Sequence, residues 1–346
     1  MTTPVRPARV AGPLRVGVDI GGTKVAVLVA AADGTVLARR SVAAASSEPD
    51  EAIAQIAGVI RDAVAEAGAT IAEVEAVGLG VPGRVDTASG DVTFAVNLGW
   101  QHLPLGRRLA ATLGVPCVVE NDARAAAVGL HHDAGFRGPD DLVYLGIGTG
   151  ISAGVVLDGR LHRGVRGLAG EIGHVVLDPD GSACACGLRG CFETIAGGAG
   201  IARAARTAID AGEATSLARG DGADGNRAGG PSAADVFAAA ETGDPLARKL
   251  VDTAAAAIAR MVHELVLAYD VELVVIGGGI SRAGAPLLDR IRAGLERIAA
   301  PSAFAAELLS ETDVRLAGPD QDIGTRGAIA LLDPVAKEVV AREAVS

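Results

Sequence analysis

The residue types best suited to chemistry crowd into one short stretch. Cys184, Cys186 and Cys191 account for three of the chain's four cysteines, and His174 stands shortly before them. Thiolates are soft ligands, and three thiolates with one imidazole complete a tetrahedral zinc shell. The intervening glycines, Gly187 and Gly190, let the backbone curl so that the sulfurs converge. The competing readings are a disulfide with a leftover thiol, or a redox pair. Nothing else suggests an oxidising compartment, and the spacing is Cys-x-Cys, not Cys-x-x-Cys. A structural zinc knuckle is therefore expected at His174, Cys184, Cys186 and Cys191. Glu171 and Glu193 edge the block, so the knuckle would hold polar groups around a small ligand. Cys117 sits in the apolar run Val115–Val119 and reads as a buried core residue.

Two glycine turns could hold phosphate. Asp19-Ile20-Gly21-Gly22-Thr23-Lys24 lacks the Walker spacing, and Gly146-Ile147-Gly148-Thr149-Gly150 lacks the helix that a dinucleotide fingerprint needs. Each is followed by a strand. Backbone N–H groups in such turns can form a small anion nest, and Thr23 and Thr149 add hydroxyl donors. The plain alternative for either is an ordinary hairpin turn. Asp19 would repel phosphate unless Mg²⁺ bridges the two. Gly277-Gly278-Gly279 offers a third open backbone patch, where adenine or ribose could lie, or else a helix-entry turn. Asn121 and Asp122 are N-cap types, and capping alone explains them. The functional alternative is that a helix N-terminus presents Asp122 as a base for an attacking hydroxyl, with Asn121 as its orienting partner.

The elements that must position these residues follow from apolar patterning. Runs at Leu14–Ile20, Val25–Ala30 and Val36–Val42, joined by glycine turns, predict a strand meander. Ile53, Ile56, Val59, Ile60 and Val64 share one face of a helix over Glu48–Ala67. Strands are expected at Val74–Val81 and Val115–Glu120, the latter feeding an alanine-rich helix. A second hairpin spans Leu142–Ile147 and Ile151–Leu157. Beyond the cysteines, a long helix covers Asp244–Tyr269, a strand Val271–Ile276, and further helices begin near Ala285 and Ile323. The unit of hairpin, helix and strand thus occurs twice, which predicts two α/β lobes of related design with a cleft between them. The segment 212–231, rich in Gly, Ala, Asp and Ser, reads as a mobile surface loop.

Composition excludes several function classes. The 346 residues are 49% hydrophobic but only 2% aromatic, so the core must be aliphatic. A net charge of -11 argues against nucleic-acid binding, which needs clustered Lys and Arg, and against an anionic membrane surface. The longest uncharged stretch, Leu142–Leu157, is too short and too glycine-rich for a membrane span. Residues 1–13 read as a loose tail without the features of a secretion signal, and a cytoplasmic location is expected.

Taken in order, these pieces resemble the ROK sugar kinases, most closely their bacterial glucokinase branch. The matching motifs are Asp19–Lys24, Val81-Pro82-Gly83, Asn97-Leu98-Gly99-Trp100, Glu120-Asn121-Asp122-Ala123, Gly148-Thr149-Gly150-Ile151, Gly170–His174, Cys184–Glu193 and Gly277–Ile280. They cover the chain from about Leu14 to Leu332. The one small departure is Ser152, where the family commonly has glycine.

The resemblance implies an α/β, two-lobed, actin-like ATPase fold of ribonuclease H-like lobes with an interlobe cleft. It implies a small lobe of residues 14–121 plus about 310–346, and a large lobe of 122–309 that contains the knuckle. Asp122 would be the catalytic base. Gly83, Asn97, Asn121, Asp122, Glu171, His174 and Glu193 would bind a hexose, glucose first. ATP with transient Mg²⁺ would lie along Asp19, Gly21, Gly22, Thr23, Lys24, Gly148, Thr149, Gly150, Gly277, Gly278 and Gly279. Zn²⁺ would be structural, and the chain would form a homodimer or homotetramer. Fructose, N-acetylglucosamine or N-acetylmannosamine as substrate, and polyphosphate as donor, are the alternatives. Some family members are repressors with a helix-turn-helix domain before the first motif. Only 18 residues precede Asp19, too few for that domain, so a repressor is not expected; a non-catalytic sugar sensor is disfavoured because Asp122 and both phosphate hairpins are present.

Overall fold

The computed structural model describes residues 12–132, 140–219, 230–318 and 321–333. Residues 1–11, 220–229 and 334–346 lie outside them, and with them most of the expected tail, the core of the 212–231 loop and the C-terminal end. The chain divides into two compact units, one within 1–138, 160–169 and 322–346, the other within 139–159 and 170–321.

The first unit opens with β1 (Leu14–Ile20), β2 (Lys24–Ala31), β3 (Val36–Ala43) and α1 (Pro49–Glu66). Then come β4 (Val74–Val81), β5 (Arg84–Asp86), β6 (Asp91–Ala95), β7 (Trp100–Leu103), α2 (Leu105–Leu113), β8 (Cys117–Asn121) and α3 (Asp122–His132). The main sheet has the order β3-β2-β1-β4-β8, and β5-β6-β7 form a small separate one. Only β2 runs against the other strands of the main sheet. That order and hand of pairing is the ribonuclease H-like pattern. Pro49 at the first helical turn starts α1, with Asp50 and Glu51 favouring its positive end. Ile53, Ile56, Ile60 and Val64 of this helix share one core with Val16, Val18, Val27 and Val29, a core of branched aliphatics as the composition requires.

The second unit repeats the scheme with β9 (Leu142–Ile147), β10 (Ile151–Leu157), β12 (Leu273–Gly277) and β13 (Asp313–Leu316), in the order β10-β9-β12-β13; the short β11 (Arg160–Leu161) falls in the stretch 160–169 of the first unit. Again an antiparallel hairpin, β9–β10, is followed by parallel strands. Between β10 and β12 lie α4 (Phe192–Ala196), α5 (Gly198–Asp210), α6 (Ala233–Glu241) and α7 (Pro245–Tyr269). Between β12 and β13 lie α8 (Gly284–Ala299) and α9 (Ala303–Ser310). Asp244 caps α7 by accepting from Ala247 N at 2.9 Å, and the same carboxylate takes Ser216 N, Ser216 Oγ and Thr215 Oγ1 at 2.6, 2.8 and 2.9 Å. These donors hold Asp244 down at about 2 against the opposing effect of burial.

After β13 the chain returns to the first unit as α10 (Ile323–Ala330), which packs on β1, β4 and α3. The approach is backbone to backbone. A Cβ on Gly17 would overlap the Thr325 carbonyl oxygen, and one on Gly78 that of Ala328. The expected boundary at Asn121–Asp122 falls inside the first unit, because α3 is sandwiched onto α10 and β4. Conversely, β13 pairs with β12 and belongs to the second unit, not the first.

Candidate active site

The parallel strands β1, β4 and β8 all point one way, with Asp19 paired to Gly80 and Val81 to Asn121. Their carboxyl ends therefore deliver Asp19, Gly83 and Asn121-Asp122 to one edge of the sheet, where ligands of open α/β sheets bind. Asp19 stands just before the first glycine turn. Burial pushes its carboxyl above the usual range, and Lys24 opposes the shift. Its Oδ2 lies 2.5 Å from where a Cβ of Gly324 would stand, at the start of α10. A half-buried carboxylate beside a helix N-terminus suits the orienting of a hydrated cation. In the turn, Gly21 N donates to Lys24 O at 2.8 Å. That amide is thus committed to closing the turn. The amides of Gly22 and Thr23 have no backbone partner among the described residues. Asn97 is exposed beside this turn, its Cβ 3.6 Å from the Cβ position of Gly22.

Asn121 and Asp122 divide their duties. Asn121 Oδ1 accepts from Ala123 N at 3.1 Å and Arg124 N at 3.2 Å, so Asn121 is the capping side chain of α3. Its Nδ2 donates to Gly83 O at 3.2 Å, which fixes the β4–β5 turn to the helix. Asp122 is the first helical residue, and its Oδ1 accepts from Ala123 N at 2.9 Å. Ala123 N is thus shared between the two side chains, while Arg124 N goes to Asn121.

Glu120 and Arg124, both buried, were not singled out by sequence reasoning. The signal was there: an i, i+4 pair of opposite charges that brackets Asn121 and Asp122 at the strand-to-helix junction. Cys117 is half-buried, not fully buried, and burial pushes its thiol up to about 12, the mark of an inert side chain.

In the second unit, the four proposed zinc ligands come together. One ligand atom from each of His174, Cys184, Cys186 and Cys191 lies within 4.8 Å of every other. Cys186 Sγ and Cys191 Sγ are 3.7 Å apart, and Cys184 Sγ is 3.6 Å from His174 Nδ1. All four cysteines of the chain are free thiols. A tetrahedral site with Zn–S of about 2.3 Å has ligand–ligand edges of about 3.8 Å, so the sulfurs stand at coordination distance and not at bonding distance. Paired backbone segments build this knuckle, through bridges Val176↔Cys191 and Ala183↔Arg189. Gly190, at φ 62, leaves no room for a side chain against Asp178 O. Burial and the two neighbouring thiols push Cys191 up to about 12, whereas the Leu188 backbone hydrogen bond lowers Cys186. A bound Zn²⁺ resolves such crowding, since a coordinating thiol is deprotonated outright. The donor set fits zinc.

The knuckle sits beside the carboxylates. His174 closes the short 3₁₀ turn Ile172–His174, which Glu171 begins. Facing Cys184 with Nδ1 leaves the His174 Nε2 edge for another partner. Glu193 follows Cys191 by two residues on α4, and its Oε2 accepts from Ile151 N at 2.9 Å. The β9–β10 turn is closed by Gly148 N donating to Gly150 O at 2.9 Å, and Gly148 O accepts from Gly198 N at 2.8 Å. The amides of Thr149 and Gly150 have no backbone partner among the described residues. A Cβ on Gly278 would overlap the Ile147 carbonyl, so the glycine turn after β12 abuts the β9–β10 turn. Around Gly279 a Cβ would meet nothing within 4 Å, an open backbone patch. In each hairpin turn one amide closes the turn and two are left without a backbone partner among the described residues.

The ROK family model matches residues 15–334. The chain belongs to the ROK family. Among its ROK relatives, a glucokinase of Halalkalibacterium halodurans is 32% identical over 314 residues, covering 90% of this chain and 92% of the relative. A glucokinase of Thermotoga maritima is 36% identical over 283 residues, 80% of this chain and 85% of the relative. The crystal structure of a ROK family glucokinase from Streptomyces griseus in complex with glucose and AMPPNP superposes with a TM-score of 0.76. It is 34% identical and covers 92% of this chain and 98% of that one. The actin-like, two-unit α/β architecture is that of the ROK family. No described helix is long and apolar enough to cross a membrane.

Proposed function

We propose that this chain transfers the γ-phosphoryl group of ATP to the primary hydroxyl of glucose. The observation that carries the reading is Asp122 at the first turn of α3, presented at the carboxyl edge of the sheet by an Asn121 cap. Its likeness to glucokinases over most of their length supports glucose as the acceptor.

In this reading the first unit supplies Asp122, Asn121, Asn97 and Gly83, and the second supplies Glu171, His174 and Glu193. Sugar hydroxyls both donate and accept, so the carboxylates of Glu171 and Glu193 each take one or two hydroxyl protons. Glu193 has Oε1 for this, Oε2 being held by Ile151 N. Asp122 accepts the proton of the attacking hydroxyl as its oxygen bonds to phosphorus and the bond to the ADP oxygen breaks. Thr23, Thr149 and the amides of the two hairpin turns stabilise charge on the phosphoryl oxygens, with Gly277–Gly279 against the nucleoside. Asp19 would orient a bound Mg²⁺, which would supply positive charge against the phosphates. His174, Cys184, Cys186 and Cys191 hold Zn²⁺, which fixes the tautomer and direction of the His174 ring that the sugar reads. Family resemblance supports a homodimer or homotetramer working in the cytoplasm, and the acidic charge is consistent with small-molecule partners only.

The deciding experiment measures ADP formation from MgATP across a hexose panel, with polyphosphate as a second donor, for the wild type and Asp122→Ala. Glucose-dependent turnover that drops on the order of 10²–10⁴ in the variant, with glucose binding retained, is expected. Faster turnover of another sugar or with polyphosphate would reassign the substrate or donor; equal turnover in the variant would remove Asp122 as base.

A further inference from the structure

Glu120 is the penultimate residue of β8, immediately before Asn121 and Asp122, and is only 1% exposed. Its carboxylate accepts from Asn121 N at 2.8 Å, Arg163 Nε at 2.7 Å and Arg124 Nη1 at 3.3 Å. Arg124, also 1% exposed, donates Nη2 to Gly167 O at 2.6 Å and Nε to Ala169 O at 3.3 Å. Its main-chain amide meanwhile reaches the Asn121 cap. All of these groups belong to the first unit.

A buried ion pair is a poor device for stability alone, since apolar side chains of the same volume serve as well. What a guanidinium provides is a rigid fork with fixed donor directions. Here that fork holds a carboxylate by one nitrogen and two main-chain carbonyls by the others. Arg124 is the third residue of α3 and Asp122 the first. The turn that carries Asp122 is therefore gripped through its backbone by Asn121 and through a side chain by the 167–169 segment. Arg163 completes the grip from the start of that segment by fixing the second oxygen of Glu120.

We propose that Glu120, Arg124 and Arg163 are positioning residues for phosphoryl transfer: together they lock the first turn of α3, and Asp122 with it, onto the 163–169 segment. The inference rests on the reading of Asp122 as the base. None of the three is assigned a substrate contact, so the loss on breaking the lock falls on kcat, not on sugar affinity. A base displaced by about 1 Å costs on the order of 10² in rate.

The test compares wild type, Asp122→Asn, Arg163→Met, Arg163→Lys and Glu120→Gln by MgATP-dependent kcat, glucose Kd from calorimetry, and Tm. Arg163 is the first target because, at 13% exposed, it is the least buried of the three. Arg163→Met is expected to lose about 10- to 100-fold in kcat with glucose Kd within about threefold of wild type. Arg163→Lys, which keeps the charge and one donor, is expected to recover most of the loss. Should Arg163→Met not fold, Glu120→Gln provides the same kcat-against-Kd comparison with the side-chain shape retained. Unchanged kcat in these variants, a parallel loss of kcat and glucose binding, or a lysine that does not rescue would each overturn the proposal. An inactive Asp122→Asn beside a fully active Arg163→Met sinks the lock and leaves the base standing. A fully active Asp122→Asn, or a wild type that turns over no sugar, removes the base and the lock together.

Discussion

Glu193 and Ile151 are joined by a 2.9 Å hydrogen bond in which the side-chain Oε2 accepts from the backbone amide just beyond the β9–β10 turn. A proposed sugar ligand and a proposed phosphate turn therefore share one fastening. Glu193→Ala should raise the KM for ATP as well as the KM for glucose, each by about 10-fold, the scale of one lost hydrogen bond to a charged group. Steady-state kinetics with each substrate varied in turn checks this; a change confined to glucose would show that the fastening carries nothing to the nucleotide side.

Cys186 is the exposed cysteine of the knuckle, and Cys184 and Cys191 are buried. Cys186→Ser should lower bound zinc to well below one per chain and raise the glucose KM about 10- to 100-fold, as for loss of support behind a ligand-orienting histidine. Elemental analysis alongside kinetics measures both. A zinc-free preparation with the wild-type KM would reject the supporting role.

Asp19 sets function against stability. Burial raises its folded pKa above the ordinary carboxylate value. Such a group favours folding while protonated, and that contribution is lost as pH rises through the folded pKa. At neutral pH, Asp19→Asn should therefore unfold at a higher temperature than wild type. It should also lose on the order of 10² in kcat, because the cation is no longer oriented. A variant both less stable and fully active would contradict both halves.

Asp244 behaves in the opposite sense. Its pKa is depressed to about 2, so its contribution is full above the ordinary carboxylate range and is lost as pH falls from about 4 towards 2. Asp244→Ala should cost about 1–2 kcal/mol at neutral pH, the scale of a lost N-cap. The gap in Tm from wild type should close as the solution is acidified over that interval, which scanning calorimetry at several pH values would record.

Much of this architecture was legible because the signals are local. The apolar run of β1 and the face shared by Ile53, Ile56, Ile60 and Val64 state their elements within one window. The cysteine block is similarly compact, from His174 to Cys191, and its four side chains do converge. The small sheet was not expected, because β5, β6 and β7 have only three, five and four residues, too few for a period to show. For α2, the spacing of Leu105, Leu109 and Leu113 was a usable sign that went unread. The unit boundary was misplaced because the side chains of α3 are buried from Ala123 to Leu130, largely by α10, which is distant in sequence. The same distance hid the Glu120 lock, whose partner Arg163 lies 43 residues away.

The glycine bed under α10 has a consequence for how the protein is made. β1 and β4 leave the ribosome early, yet among the described residues the nearest cover on their bare backbone at Gly17 and Gly78 comes from residues 323–330. The entire second unit is synthesised in between. Domains tend to fold as their chains emerge. Here the unit that begins first must finish last, waiting with an open groove until its closing helix arrives.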